Sequence, residues 1–296
     1  MKTVGIESYY TVVEAGNMKK SAVPDFASMN QFNHAILCIP FPGDTTWVDC
    51  TSKTLPFGYL GDFTDDRLAV ACTNQGGKLI RTPKLSTEEN RQVRKAKFVI
   101  DENGDLAGEM NTAFEGWQYD NRETLLDEPY SEQLKKLPEI YSLNNLEIQA
   151  FKLEQNKSRK PVTNESIKFT ARSYAAKANN RFYITLNPIN KGRQLKELYS
   201  RANPVYINRG YIDVDEISYT LPKNFRIDTS PQPFTLETPF GMFSMNVDIK
   251  DRNVVYTRKI KLIEGRYSPE SYQELVNFYQ KVADADEYKI SLVKLD

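Results

Sequence analysis

The sequence predicts an α+β protein, predominantly β, with a smaller first domain, an antiparallel β-sandwich behind it and one helix near the C-terminus. Three observations carry this. Apolar residues recur in short runs that alternate with polar ones, the period of strands rather than of long amphipathic helices. Aromatic residues make up 11% of the chain and include 17 tyrosines, side chains that suit half-buried pleated surfaces. Turn residues such as Asn103-Gly104 and Pro42-Gly43-Asp44 punctuate the runs.

Taken in order, strands are expected over residues 4–13, 32–40, 45–50 and 68–72, with a shorter one at 77–81. The stretch TPKLSTEENRQVRKAK then turns polar and charged, which places a boundary between domains at 1–88 and 89–296. The length of 296 residues agrees with two domains, because single cores stop growing at about 250–300 residues. Beyond the boundary come KFVIDENGDLAGEMNTAFEGW, LEIQAFKLE, SIKFTARSYA, RFYITLNPI, GYIDVDEISYTLP, MFSMNVDIKDRNVVYTRKIKLIEG and a final YKISLVKL. Short strands at this spacing read as a sandwich. Two helices interrupt them. SPESYQELVNFYQKVADA has Ser268 as N-cap, Pro269 at the first position and Tyr272, Leu275, Val276 and Tyr279 at helical spacing; SEQLKKL is shorter.

Lys+Arg and Asp+Glu both number 39, so no general attraction to nucleic acid or to an anionic membrane is implied. No apolar run approaches the roughly 18–20 residues that span a bilayer, and membrane insertion is not expected. Three cysteines, Cys38, Cys50 and Cys72, are an odd set in β-prone surroundings and do not read as a disulfide framework. Asp101-Glu-Asn-Gly-Asp105 invites a calcium loop, but the sixth and twelfth positions hold Leu106 and Thr112 where glycine and glutamate are needed. It reads as a β-turn, and no metal or cofactor is expected. Trp47, Trp117 and the tyrosines read as core strand residues rather than as a saccharide or peptide site.

Chemistry points instead to QFNHAILCIPFPGDTTWVDCTSK (31–53), which holds the chain's one histidine. If 32–40 and 45–50 form a hairpin, His34 and Asp49 oppose one another to within about one residue of register. Directly paired side chains have Cβ atoms about 4.5–5.5 Å apart, within reach of an imidazole–carboxylate hydrogen bond. A carboxylate on one ring nitrogen sets the tautomer and leaves the other free to deprotonate a nucleophile. Cys38, four residues past His34 on the same strand face, lies about 13 Å away at 3.3 Å per residue, and Cys50 points away from Asp49's face. Cys72 stays open as a candidate thiol.

The order of residues VGIESYYTVV (4–13), FNHAILCIP (32–40) and TTWVDCTSKTLPFGYL (45–60), with GGKLIRTP (76–83) after them, resembles the His and Asp strands of the transglutaminase-like, papain-related thiol enzymes, most nearly the multi-domain type of Bacteroidetes. The region from ISYTLPKNFRIDTSPQPF to YKISLVKL is similar to the uncharacterised β-rich domain that follows that core. The resemblance implies His34 as triad base, Asp49 as its orienting acid, and a cysteine-bearing helix ahead of residue 4. The expectation for this chain is therefore a truncated core, non-catalytic as it stands and acting as a scaffold for a protein or peptide, with a periplasmic or envelope location. The apolar face left where that helix packs is expected to recruit a second copy. The alternative is a thiol acyl-transferase or cysteine peptidase that uses His34 and Asp49 with a cysteine from an upstream segment or with Cys72.

Overall fold

The structure, a computed structural model, describes residues 1–296 apart from 27, 52–54, 142, 191, 199 and 296. The chain divides into two compact units. One comprises Met1–Asn90, Phe114–Glu123 and Gln155–Thr163; the other comprises Arg91–Ala113, Thr124–Glu154 and Asn164–Asp296. Among the described residues the protein is α+β and predominantly β.

In the first unit, β1 (Tyr9–Val13), β2 (His34–Phe41), β3 (Asp44–Val48), β4 (Leu68–Thr73) and β5 (Gly76–Arg81) form an antiparallel sheet in the order β3-β2-β1-β4-β5. The first strand is shorter than its alternation suggests, because Lys2–Val4 make a 3-10 turn and Gly5 follows at φ +70°. Between β2 and β3 the chain turns at Pro42-Gly43. Proline pre-sets the first turn position, and Gly43 takes the positive φ, +74°, of the second. Val13, Ile36, Cys38, Trp47, Leu60 and Ala69 form this unit's apolar cluster.

Arg67 is wholly buried there. Its guanidinium donates to the carbonyls of Glu14 at 2.5 Å, Asp65 at 2.9 Å, Gly16 at 3.2 Å and Asp62 at 3.4 Å. A buried cation needs such acceptors, and here they tie the loop after β1 to the loop before β4.

The remaining strands are β6 (Arg91–Ile100), β7 (Leu106–Glu115), β8 (Leu146–Asn156), β9 (Val162–Ala171), β10 (Ala176–Ala178), β11 (Arg181–Thr185), β12 (Val205–Ile207), β13 (Tyr211–Thr220), β14 (Phe225–Thr229), β15 (Phe234–Thr238), β16 (Gly241–Lys250), β17 (Asn253–Leu262), β18 (Gly265–Tyr267) and β19 (Lys289–Lys294). They build an eight-stranded sheet, β15-β16-β17-β13-β6-β7-β9-β8, a four-stranded sheet, β10-β11-β19-β14, and the β12-β18 pair. One pairing departs from the all-antiparallel expectation: β6 and β13 run parallel. They are far apart in sequence, where hairpin signals carry no information. The Asp101–Asp105 stretch is the expected turn; Asp101 Oδ1 accepts from the amides of Asn103 and Asp105, both at 2.8 Å.

Three helices are described: α1 (Glu123–Leu126), α2 (Tyr130–Tyr141) and α3 (Tyr272–Asp286). The second is longer than expected and accommodates Pro138. The third buries Leu275, Val276 and Tyr279 as the spacing predicts, but it begins at Tyr272 after a 3-10 turn, and Ser268 makes no side-chain cap bond. The eight- and four-stranded sheets and α3 contribute to one core, with Phe98, Phe243 and Tyr256, Ile184 and Leu292, and Phe278 among its members.

Across that core runs a chain of buried charges. Arg94, Asp215 and Arg258 are register neighbours on β6, β13 and β17. Arg94 Nη1 lies 2.7 Å from Asp215 Oδ1, and Arg258 holds Asp286 at the end of α3 through two bonds of 2.6 and 2.9 Å.

Candidate functional site

The hairpin places its two polar residues by register. Leu37 pairs with Val48 and Cys38 with Trp47, so the same register carried past Val48 sets Asp49 beside Ile36, two residues from the position opposite His34. The expected pairing within one residue is thus corrected to a diagonal one. Diagonal neighbours share a face about 7–8 Å apart at Cα, which the imidazole spans: His34 Nε2 lies 2.9 Å from Asp49 Oδ2. Both side chains are largely buried, at 15% and 7% exposure.

Each partner is braced. The Asp49 carboxylate accepts from the Thr51 amide at 3.0 Å and the Thr51 hydroxyl at 2.7 Å through its other oxygen. Burial would raise this carboxyl, but the Thr51 bonds and His34 outweigh it and hold it below the usual carboxylate range. Asn33, just before the histidine, accepts from the Ala15 amide at 2.7 Å and donates to the Ala15 carbonyl at 3.0 Å. That two-point bond fixes the start of β2 against the end of β1. Phe63 presents its ring to His34 edge-on, with centroids 5.6 Å apart and planes at 82°. With Nε2 engaged by Asp49, Nδ1 has no hydrogen-bond partner among the described residues. Such a pair is oriented to accept a proton at Nδ1.

Among the described residues no cysteine hydrogen-bonds the imidazole. Cys38 shares the face of His34 but pairs with Trp47 and Tyr9, four pairs along the strand. It is 5% exposed, and burial pushes its thiol up against a smaller opposing effect of Lys78. Cys50 is exposed and follows Asp49 directly. Cys72, left open by the sequence, pairs with Tyr10. Tyr10 in turn pairs with Leu37, so Cys72 sits on the sheet face opposite His34, and alternation alone keeps it from the imidazole. Residues 52–54 of the matched stretch 45–60 lie outside the described residues.

Farther along the His34 face opens a groove of about 370 Å³ whose lining includes Tyr9, Cys38, Trp47, Lys78 and Ile80. Trp47, 4% exposed, belongs to the core beneath it. In the second unit the buried charges Arg94, Asp215, Arg258 and Asp286 satisfy one another. Sequence reasoning missed Thr51, Asn33 and Phe63. A threonine two residues after an aspartate is a common Asx-type contact and was legible in principle; the other two depend on tertiary approach.

Residues 180–292 match the family model of a domain of unknown function with a solved structure, DUF3858. No curated protein matches the chain. Among solved structures, a candidate protease from Parabacteroides distasonis ATCC 8503 is similar to it at a TM-score of 0.51 and 10% identity, covering 99% of this chain and 41% of that one. The chain spans about two fifths of that protein's length, and at this identity the likeness is one of fold.

Proposed function

We propose that the first domain, residues 1–88, holds the base-and-orienter half of a transglutaminase-like thiol-enzyme centre, with His34 as base and Asp49 as its orienting acid. By its own cysteines the chain does not turn over, and it serves as a scaffold that binds a protein or peptide. The observation that carries this reading is the 2.9 Å His34–Asp49 pair with Nδ1 not hydrogen-bonded to Cys38, Cys50 or Cys72. The resemblance of residues 4–13, 32–40 and 45–60 supports thiol-dependent chemistry once a cysteine from outside these residues reaches His34, and a neighbour described as a candidate protease is in keeping with a peptide as the partner. A periplasmic or envelope location accompanies that family. The groove beside Trp47 supports docking of a second copy on the same face; static light scattering that gives a monomer at high concentration would remove that part.

The deciding experiment is alkylation by iodoacetamide as a function of pH, read at each cysteine by mass spectrometry in the wild type and in His34→Ala. Thiolates are the reacting species, and a free thiol titrates near about 8.5. All three are expected to react slowly near neutrality, Cys38 least, without change in His34→Ala. A cysteine that reacts fast at neutral pH and loses that reactivity with the imidazole would mean a complete dyad within this chain and an active enzyme.

A further inference from the structure

The loop before β4 touches both ends of a small acidic site in the first unit. At one end Phe63 lies edge-on to His34, its carbonyl accepting from the Gly16 amide at 2.9 Å. Two residues earlier, Gly61 is packed so closely that a Cβ there would come within 2.7 Å of Asp120 Oδ2; the carboxyl therefore lies against the glycine backbone. Tyr59 completes the contact by donating from its hydroxyl to the Gly116 carbonyl at 2.8 Å and meeting the Tyr119 ring at 5.4 Å.

What faces Asp120 is mostly acid. Glu123 on its own segment and Asp62 on the loop are its charged neighbours, and each has partners of its own. Tyr59 and Tyr119 stand beside it neutral, with Tyr119 pushed up to about 12. Asp65 acts on Tyr59 from the far end of the loop. Arg122, the nearest cation in sequence, lies over the Phe114 ring at 4.7 Å. Among the described residues no hydrogen-bond donor reaches the Asp120 carboxylate.

We propose that Asp120 is a proton-operated latch on the loop that carries Phe63 against His34: protonated, it keeps the 59–63 stretch docked, and ionised, it loosens that stretch and uncovers the imidazole. Burial first, and then the charges of Glu123 and Asp62, push its carboxyl up to about 7 in the docked form, whereas in a released loop it returns toward the ordinary value of about 3.9. Docking therefore takes up a proton between those values. As pH falls from 7 toward 4 the docked form gains up to about tenfold per unit; above 7 it is at its weakest and stays level. Opening must break the Tyr59 bond to the Gly116 carbonyl, the Arg67 bond to the Asp62 carbonyl and the Gly16 bond to Phe63, and must lift Leu60 from the apolar cluster.

The test is amide hydrogen exchange of the full chain from pH 5 to 8.5, with rates divided by their intrinsic values, read at residues 59–63 and at Gly16. Wild type is expected to lose protection by tenfold or more between pH 5 and 7 and then to level off, while Asp120→Asn, which stays neutral, keeps one level throughout. Amides of β1 and β2, in the same unit, serve as the control for opening of that unit as a whole. His34 is the chain's one histidine, so its carbethoxylation rate is a second readout. The wild-type rate divided by that of Asp120→Asn should rise severalfold from pH 5 to 7.5, the reagent's own pH dependence cancelling in the ratio. Equal pH profiles in the two proteins would overturn the latch. Should Asp120→Asn fail to fold, Glu123→Gln decides: removing one repelling charge must move the wild-type midpoint to lower pH, and an unmoved midpoint overturns the proposal. His34 acts here as a reporter, so the outcome is independent of whether it ever serves as a base.

Discussion

His34 and Asp49 show how one carboxylate can serve geometry and stability together. Asp49 is held below the usual carboxylate range in the folded chain, so its ionised form stabilises the fold above the unfolded value of about 3.9. That contribution is lost as pH falls through the lowered value. Asp49→Ala is therefore expected to destabilise the first unit by about 1–3 kcal/mol at pH 7, with the gap to wild type closing below pH 4. Both tryptophans, Trp47 and Trp117, lie in that unit, so their fluorescence in urea titrations reports it. A gap that persists at pH 3 would show that the ionised carboxylate is not the stabilising form. The histidine and aspartate were legible in the sequence because their residue types sit astride an obvious hairpin. Their two-residue offset was not, since it depends on where the β2–β3 ladder ends.

Among elements, the arginine-centred ties are where substitution should be felt most. Arg67→Met would leave the carbonyls of Glu14, Gly16, Asp62 and Asp65 without their buried donor. Each such loss is worth about 1–3 kcal/mol, so unfolding of the first unit is expected, as a collapse of its near-ultraviolet circular dichroism. Asp286→Ala leaves the buried Arg258 guanidinium with only the longer 3.4 Å contact to Asp215 and should destabilise by about 3 kcal/mol, whereas Arg258→Met combined with Asp286→Leu should recover most of that; thermal melts of the three proteins distinguish them. Near the start of β16, Gly241 has φ +151°, and a Cβ there would fall 1.9 Å from the Lys261 carbonyl oxygen. Gly241→Ala combines a strained backbone with a clash against main chain, and a loss of about 3 kcal/mol or more is expected from the same melts. None of these positions stands out in the sequence: an isolated arginine or glycine in a strand reads the same whether it faces solvent or a neighbouring backbone.

For the whole molecule, zero formal charge and a pI near 6.7 predict minimum solubility close to that pH and no retention on a polyanionic resin at 0.15 M salt, where the screening length is about 8 Å. Retention under those conditions would reveal a clustered basic face that the balanced total conceals. By itself the sequence determined what depends on neighbours along the chain: the β-rich α+β class, the strands of the first sheet, the Pro42-Gly43 turn, the apolar face of α3 and the His34–Asp49 hairpin. Period-2 alternation, turn chemistry and helical spacing are local properties, and they survive without knowledge of the fold. Only the tertiary structure decided that β6 and β13 run parallel, that Cys72 faces away from the imidazole, that buried arginines tie distant loops and strands together, and that Asp120 meets Gly61 across the chain. Those outcomes depend on which distant segments approach one another. Burial then multiplies the cost of any unpaired charge, turning residues that look ordinary in the sequence into the ones on which the fold depends.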